Sequence, residues 1–176
     1  MYSIVSLNLQ HDEALFRLYQ KVAAESGGII RVSSEITPAY VSGMLHKCVQ
    51  QGLIFGIFNP AKPFQLIAEI HTYTPDIQAF RHLLTDLTVV VHPDFQGKGL
   101  GKLIFEHLLN EIKRAHPHIL RVELFVRENN AKAVEFYQRL GFIEQGRHRH
   151  KIKNADGSLE TPIEMAWFNP AYQDLE

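Results

Sequence analysis

A chain of 176 residues, 45% hydrophobic and 21% charged, is long enough to bury a sizeable core and has the make-up of an ordinary globular protein. Its formal net charge of −1 excludes a global basic field for nucleic acid or an anionic membrane, although ten histidines would make the surface more positive near about pH 6. One cysteine, Cys48, excludes an internal disulfide, and the start has no basic, apolar leader and no segment of transmembrane length, so a cytoplasmic protein with no membrane partner is expected.

In chain order, Tyr2–Asn8 alternates like a short strand, and Asp12–Glu25 carries Leu15, Leu18, Tyr19 and Val22 at helical spacing. Gly27-Gly28 is the expected stop of that helix. Thr37-Pro38 supplies an N-cap and a first-turn proline for a second helix that runs to about Gln51, and Gly52 closes it. Cys48 sits among Val41, Met44 and Leu45 on the apolar face of that helix and reads as a small core residue rather than a nucleophile. Leu53–Phe58 and Phe64–His71 flank the turn residues Asn59-Pro-Ala-Lys-Pro63, which predicts a strand and its return. Thr72–Leu84 reads as a loop or short helix, and Asp86–Val91 as a β-branched strand. Leu100, Leu103, Ile104, Leu108, Leu109 and Ile112 predict an amphipathic helix to about Ala115. Leu120–Arg127 alternates as a strand, and Ala131–Leu140 is helical with Gly141 as its stop. Phe142–Lys153 and Thr161–Phe168 flank Asn154-Ala-Asp-Gly157 as a hairpin. No repeat or linker divides the chain, so one α/β domain of mixed sheet over residues 1–176 is expected.

The stretch with chemical content is Thr85-Asp-Leu-Thr-Val-Val-Val-His-Pro-Asp-Phe-Gln-Gly-Lys-Gly-Leu-Gly-Lys102. A strand, a proline turn and a glycine-rich loop lead into a helix. Such a loop gathers unpaired N–H groups at the positive end of a helix dipole, where a phosphate is attracted. A nucleotide P-loop needs G-x-x-x-x-G-K-[ST], and a dinucleotide fingerprint needs G-x-G-x-x-G after a first strand. Gly97-Lys-Gly-Leu-Gly-Lys102 has neither spacing. Lys98 and Lys102 read equally well as added charge for the phosphates or as solvated surface lysines.

Gln96-Gly-Lys-Gly99-Leu-Gly101, preceded by Val91-His-Pro93, resembles the Q/R-x-x-G-x-G/A pyrophosphate loop of the GNAT N-acetyltransferases. Asn130-Ala-Lys-Ala133-Val-Glu-Phe-Tyr137-Gln-Arg-Leu-Gly141-Phe142 resembles that family's second signature, N-x-x-A-x-x-x-Y-x-x-x-G-F. The two motifs lie in the family's order, and the resemblance covers the chain from about Leu53 to Trp167. It implies a GNAT-like fold with a central mixed, mostly antiparallel sheet flanked by helices. It also implies an acetyl-CoA cofactor and transfer to a primary amine by direct attack in a ternary complex.

The resemblance assigns the cofactor to the loop Gln96, Gly97, Lys98, Gly99, Leu100, Gly101 and Lys102, and to the strand Val89, Val90 and Val91, whose backbone would pair with the pantetheine arm. Asn130, with Ala133 in the same motif, is expected to cap its helix, to contact the cofactor, or both. Tyr137 is the expected general acid, because a phenol holds its proton at neutral pH. The base is open. Positions that relatives use fall on Thr85 and Leu87, which cannot serve; Asp86 would point to the opposite face unless a bulge turns it inward; Glu69 and His71 on the preceding strand are the other candidates, and ordered water is an equal alternative. Arg147, Arg149, Lys151 and Lys153 share one parity, with His148 and His150 on the other, which suits either a solvated edge strand or an acceptor site for a carboxylate or phosphate; no metal is expected. A small amine or amino-acid-like acceptor is expected first and a protein amine second. A non-catalytic acyl-CoA-binding module and a tRNA acetyltransferase are the rival readings, and a homodimer is the frequent assembly in the family.

Overall fold

The computed structural model describes residues 2–25 and 29–174. In chain order these form β1 (Ile4–Ser6), α1 (Asp12–Ala23), α2 (Pro38–Gln51), β2 (Gly52–Asn59), β3 (Lys62–Tyr73), β4 (Leu83–Val91), α3 (Leu100–Ala115), β5 (Arg121–Val126), α4 (Ala131–Arg139), β6 (Ile143–Arg147), β7 (Ile152–Lys153), β8 (Leu159–Glu160) and β9 (Ile163–Phe168). The hydrogen-bonded order of the main sheet is β1-β2-β3-β4-β5-β9-β6, while β7 and β8 form a separate two-stranded ribbon. β4 and β5 run parallel, and β1–β2, β2–β3, β5–β9 and β6–β9 run antiparallel. The sheet is therefore mixed and mostly antiparallel. The expected helix stop at Gly27-Gly28 lies outside the described residues.

The chain divides into two compact units, Met1–Tyr73 with Thr88–Glu111 and Thr74–Leu87 with Ile112–Glu176. In the first unit, α1 buries Leu15, Leu18, Tyr19 and Val22, the i, i+3, i+4, i+7 stripe of an amphipathic helix. α2 starts where the sequence predicts: Thr37 accepts a hydrogen bond from the Tyr40 amide at 3.1 Å, and Pro38 opens the first turn. Its buried face, Val41, Met44, Leu45 and Cys48, joins the α1 stripe, Leu7, Ile54, Leu66 and Val90 in one apolar core. A Cβ at Gly56 in β2 would stand 2.7 Å from Leu66 Cδ1 and 2.8 Å from Leu7 Cδ2, so a larger residue there would make these buried leucines shift.

In the second unit, β5 and β9 pair Val122 with Trp167, Leu124 with Met165 and Val126 with Ile163, and all six side chains are buried. The alternation of β5 thus sends one parity inward and leaves Arg121, Glu123 and Phe125 on the other face. The segment Thr72–Leu84 resolves into the end of β3, a short 3₁₀ turn at Gln78–Phe80 and the start of β4. The predicted single hairpin is corrected. β6 ends at Arg147, a turn follows in which His150 has φ 56°, and only Ile152–Lys153 returns to strand. The one-parity row Arg147, Arg149, Lys151, Lys153 is broken by that turn, since alternation holds only while the chain stays extended.

Candidate active site

The segment between β4 and α3 is built to leave backbone donors open. His92 ties its start to β3 through its own amide and the Ile67 carbonyl at 2.8 Å. A short turn over Pro93–Phe95 closes with bonds from the Phe95 amide to the His92 carbonyl (2.8 Å) and from the Gln96 amide to the Pro93 carbonyl (3.2 Å). Gly97 and Gly99 then adopt φ 73° and 78°, a region that only glycine enters freely. Among the described residues, no heavy atom beyond the immediate chain neighbours lies within 4 Å of where a Cβ would stand at either residue. Among the described residues the amides of 97–102 find no internal acceptor, whereas the Leu103 amide returns to the Gly99 carbonyl at 3.0 Å. The head of α3 is thus a row of open N–H groups in front of empty space, an anion cradle. Leu100 anchors the row by burial, and the Gln96 side-chain amide donates to the Val91 carbonyl at 3.3 Å. Lys98 is held within the loop by the Asp94 carbonyl (3.0 Å) and the Phe95 ring (4.5 Å), and Lys102 lies 3.7 Å from Glu106.

The carboxylates expected as bases fall in unlike places. Asp86 takes φ 51° within β4, a local break in the extended backbone, and is exposed. β4 pairs with β5 at Leu83 with Arg121 and at Leu84 with Val122. Glu69 is sealed, with no exposed surface. The Tyr19 hydroxyl donates to its Oε2 at 2.9 Å, and His71 Nδ1 lies 2.9 Å from its Oε1 and 3.2 Å from the Tyr19 hydroxyl. Burial, then the Glu69 charge, holds the Tyr19 phenol well above its ordinary pKa. A carboxylate closed in this way joins α1 to β3 and offers no face to a substrate.

In the second unit, Asn130 caps α4 by accepting from the Ala133 amide at 3.2 Å. Tyr137 follows two turns later, its ring against Phe136 (5.4 Å) and Phe142 (5.9 Å). Burial pushes its phenol up to about 12, so the hydroxyl keeps its proton at any physiological pH.

Sequence reasoning did not anticipate a polar row on the outer face of β5, β6 and β9. Arg121 donates to Glu123 Oε1 (2.6 Å), Gln145 Oε1 (3.1 Å) and Glu164 Oε1 (3.3 Å). The other Glu164 oxygen lies 2.9 Å from His148 Nε2. The His148 ring stands edge-on to Phe125 at 5.1 Å, and the Lys151 ammonium lies 3.9 Å above the same ring. Arg127 pairs with the buried Glu160 and donates to Asn154 at 3.1 Å. The only advance signal was parity, which puts Arg121, Glu123 and Phe125 together; the link from His148 to Glu164 depends on the β6–β9 register. Among the described residues no group of three or more metal-ligating side chains occurs, and no helix is long and apolar enough to cross a membrane.

The family model for the acetyltransferase (GNAT) domain matches residues 65–144. The [ribosomal protein bS18]-alanine N-acetyltransferase of Salmonella typhimurium is 37% identical over 79 residues, which are 45% of this chain and 52% of that protein, so the match spans about half the length of that relative. The crystal structure of the ribosomal-protein-S18-alanine N-acetyltransferase from Escherichia coli superposes with a TM-score of 0.76 at 25% identity, over 100% of this chain and 97% of that one. YncA from Salmonella typhimurium, a putative acetyltransferase solved with acetyl-CoA, gives a TM-score of 0.83 at 15% identity, over 100% and 98%. Residues 65–144 of the chain thus match the GNAT acetyltransferase domain model, and the fold is that of solved GNAT structures.

Proposed function

We propose that the protein is an N-acetyltransferase that moves an acetyl group from acetyl-CoA to a primary amine. The observation that carries this reading is the row of unpartnered amides at residues 97–102, with two glycines in the left-handed region and open space before them. That cradle fits a diphosphate: its donors are main-chain, it lies at the positive end of a sixteen-residue helix, and a side chain at either glycine would stand in the phosphate's space. Gln96, Gly97, Lys98, Gly99, Leu100, Gly101 and Lys102 would hold the diphosphate of coenzyme A, and the backbone of Val89–Val91 its pantetheine arm.

When bound, acetyl-CoA supplies an acyl thioester. Tyr137 keeps a proton for the sulfur. Because burial raises its phenol above an ordinary thiol, it acts chiefly as a hydrogen-bond donor to the charge that develops there. Asn130 holds the head of α4 and so places Tyr137 two turns on.

For the acceptor, the likeness to ribosomal-protein alanine N-acetyltransferases points to the α-amine of a peptide as the first substrate to offer, ahead of a free small-molecule amine. The test is thiol release from acetyl-CoA by the purified chain with peptides bearing free N-termini, with lysine-containing peptides of blocked N-terminus, and with small amines. Saturable turnover with any of them supports the reading. Binding of coenzyme A without transfer to any amine would leave a binding module, and no binding of coenzyme A would remove the reading altogether.

A further inference from the structure

We propose that a cleft between α1 and the first residues of β3 binds a small aromatic anion, a carboxylate or phosphate carried on a planar ring. This is a second ligand site, and it does not depend on the acetyl transfer proposed above. The cleft has a volume of about 520 Å³, within the range of small-molecule sites, and all of its walls belong to the first compact unit. Its apolar part is Leu18 from α1 and Leu66 from β3, two members of one core. Lys62 and Phe64 share the parity of Leu66 and continue the same face toward the start of β3. Phe64 is 91% exposed, so its ring contributes little to the core and is open to cover a flat partner.

The polar groups that line the cleft are donors. The His92 side chain is only 10% exposed. Its Nδ1 accepts from the Asp94 amide at 3.3 Å, while the Asp94 carboxylate, at 3.8 Å, is too far for a hydrogen bond. The neutral ring therefore carries its hydrogen on Nε2, and a charged ring carries one there as well. Among the described residues that N–H has no acceptor, and it is not sealed from solvent. A largely buried donor left in this state gains when a ligand accepts from it. Gln65 has its oxygen occupied by Asn59 Nδ2 at 2.8 Å and so presents its amide hydrogens. Arg17 gives one terminal nitrogen to Glu13 and keeps its other donors, and Lys62 has no carboxylate partner among the described residues. No Asp or Glu lines the cleft. Two fixed positive charges and a buried N–H, with no acid to neutralise them, select an anion and repel an amine. A bare anion would leave Phe64, Leu18 and Leu66 unused, and a neutral ring would leave the donors unused. A ring that carries the charge satisfies both.

The test is an amide-resolved NMR titration of the full chain at constant ionic strength, with calorimetry for the affinities. The probes are 2-naphthoate and 2-naphthyl phosphate; 2-naphthamide serves as the neutral ring, and acetate and inorganic phosphate as the bare anions. The naphthyl anions should move the amide signals of Phe64, Leu66 and His92 saturably, and bind about 10-fold or more tighter than the neutral ring or the bare anions. The tighter of the two identifies the head group. Phe64→Ala and Lys62→Gln, both at exposed positions, should each weaken the probe by about 5- to 20-fold while Tm and coenzyme A affinity stay unchanged. His92→Asn, whose side-chain oxygen can still accept from the Asp94 amide, should weaken it as well. No saturable shift at these residues, equal affinity for the controls, or wild-type binding by both Phe64→Ala and Lys62→Gln overturns the site. Displacement of the probe by coenzyme A would put it in the amide cradle instead and overturns the site too.

Discussion

Replacing Gly99 by alanine separates the cradle's ligand role from its backbone role. At φ 78° an alanine is strained by about 1–2 kcal/mol, the cost of a Cβ in the left-handed region. Among the described residues, no heavy atom beyond the chain neighbours lies within 4 Å of that Cβ, so no steric clash adds to it. In a chain of this size that loss corresponds to a Tm lower by about 2–8 °C. Gly157, in the turn between β7 and β8, offers a matched control, with φ 85° and the same open space. Both alanine variants should therefore lose similar stability in thermal unfolding. Only Gly99→Ala should lose coenzyme A. The intruding methyl forces the phosphate from one or two charge-assisted amide bonds, each worth about 1.5–3 kcal/mol, so calorimetry should read a Kd weaker by roughly 10- to 100-fold or more. Equal coenzyme A affinity in Gly99→Ala and Gly157→Ala would refute the reasoning, because the cradle would then be an ordinary strand–helix turn.

Other substitutions test the remaining links. Tyr137→Phe should lower kcat by about 100-fold in the thiol-release assay and leave the calorimetric Kd for coenzyme A unchanged, since the hydroxyl and not the ring is removed. Tyr19→Phe should cost about 1–3 kcal/mol in urea unfolding, because it takes one donor from the sealed Glu69 carboxylate. Stability should fall as pH rises above about 9, where unfolded cysteine and tyrosine ionise. Burial raises Cys48, Tyr19 and Tyr137, so the folded chain keeps protons that the unfolded chain loses, and the slope of unfolding free energy against pH is negative. Cys48→Ala should flatten the onset of that decline in denaturant titrations at pH 9–10, by up to about 1.4 kcal/mol per pH unit.

Much of the molecule was legible in the sequence because its signals are local. The helix from Leu100 to about Ala115 was read from apolar spacing, and the Thr37-Pro38 start of α2 from capping chemistry. The glycines between residues 97 and 101 marked a phosphate-attracting loop, and the two motifs carried the resemblance to the GNAT family. The amide cradle is held largely by ties close in sequence, Gln96 to Val91 and Lys98 to Asp94, so it too could be read before any packing was known.

Tertiary structure alone decided the rest, because those properties depend on residues far apart in the chain. Glu69 looked like a candidate base until α1 laid Tyr19 over it from fifty positions away. Asp86 stood on an ambiguous parity until the backbone kinked at φ 51°. The basic alternation of residues 147–153 was a property of the string and not of the fold, since a turn at His150 breaks it. His148 met Glu164 only through strand register, which a period-two pattern cannot specify by itself. Sequence determined which backbone conformations form and where donors are exposed; pairing and burial determined which side chains are closed, which are aimed, and which can exchange a proton.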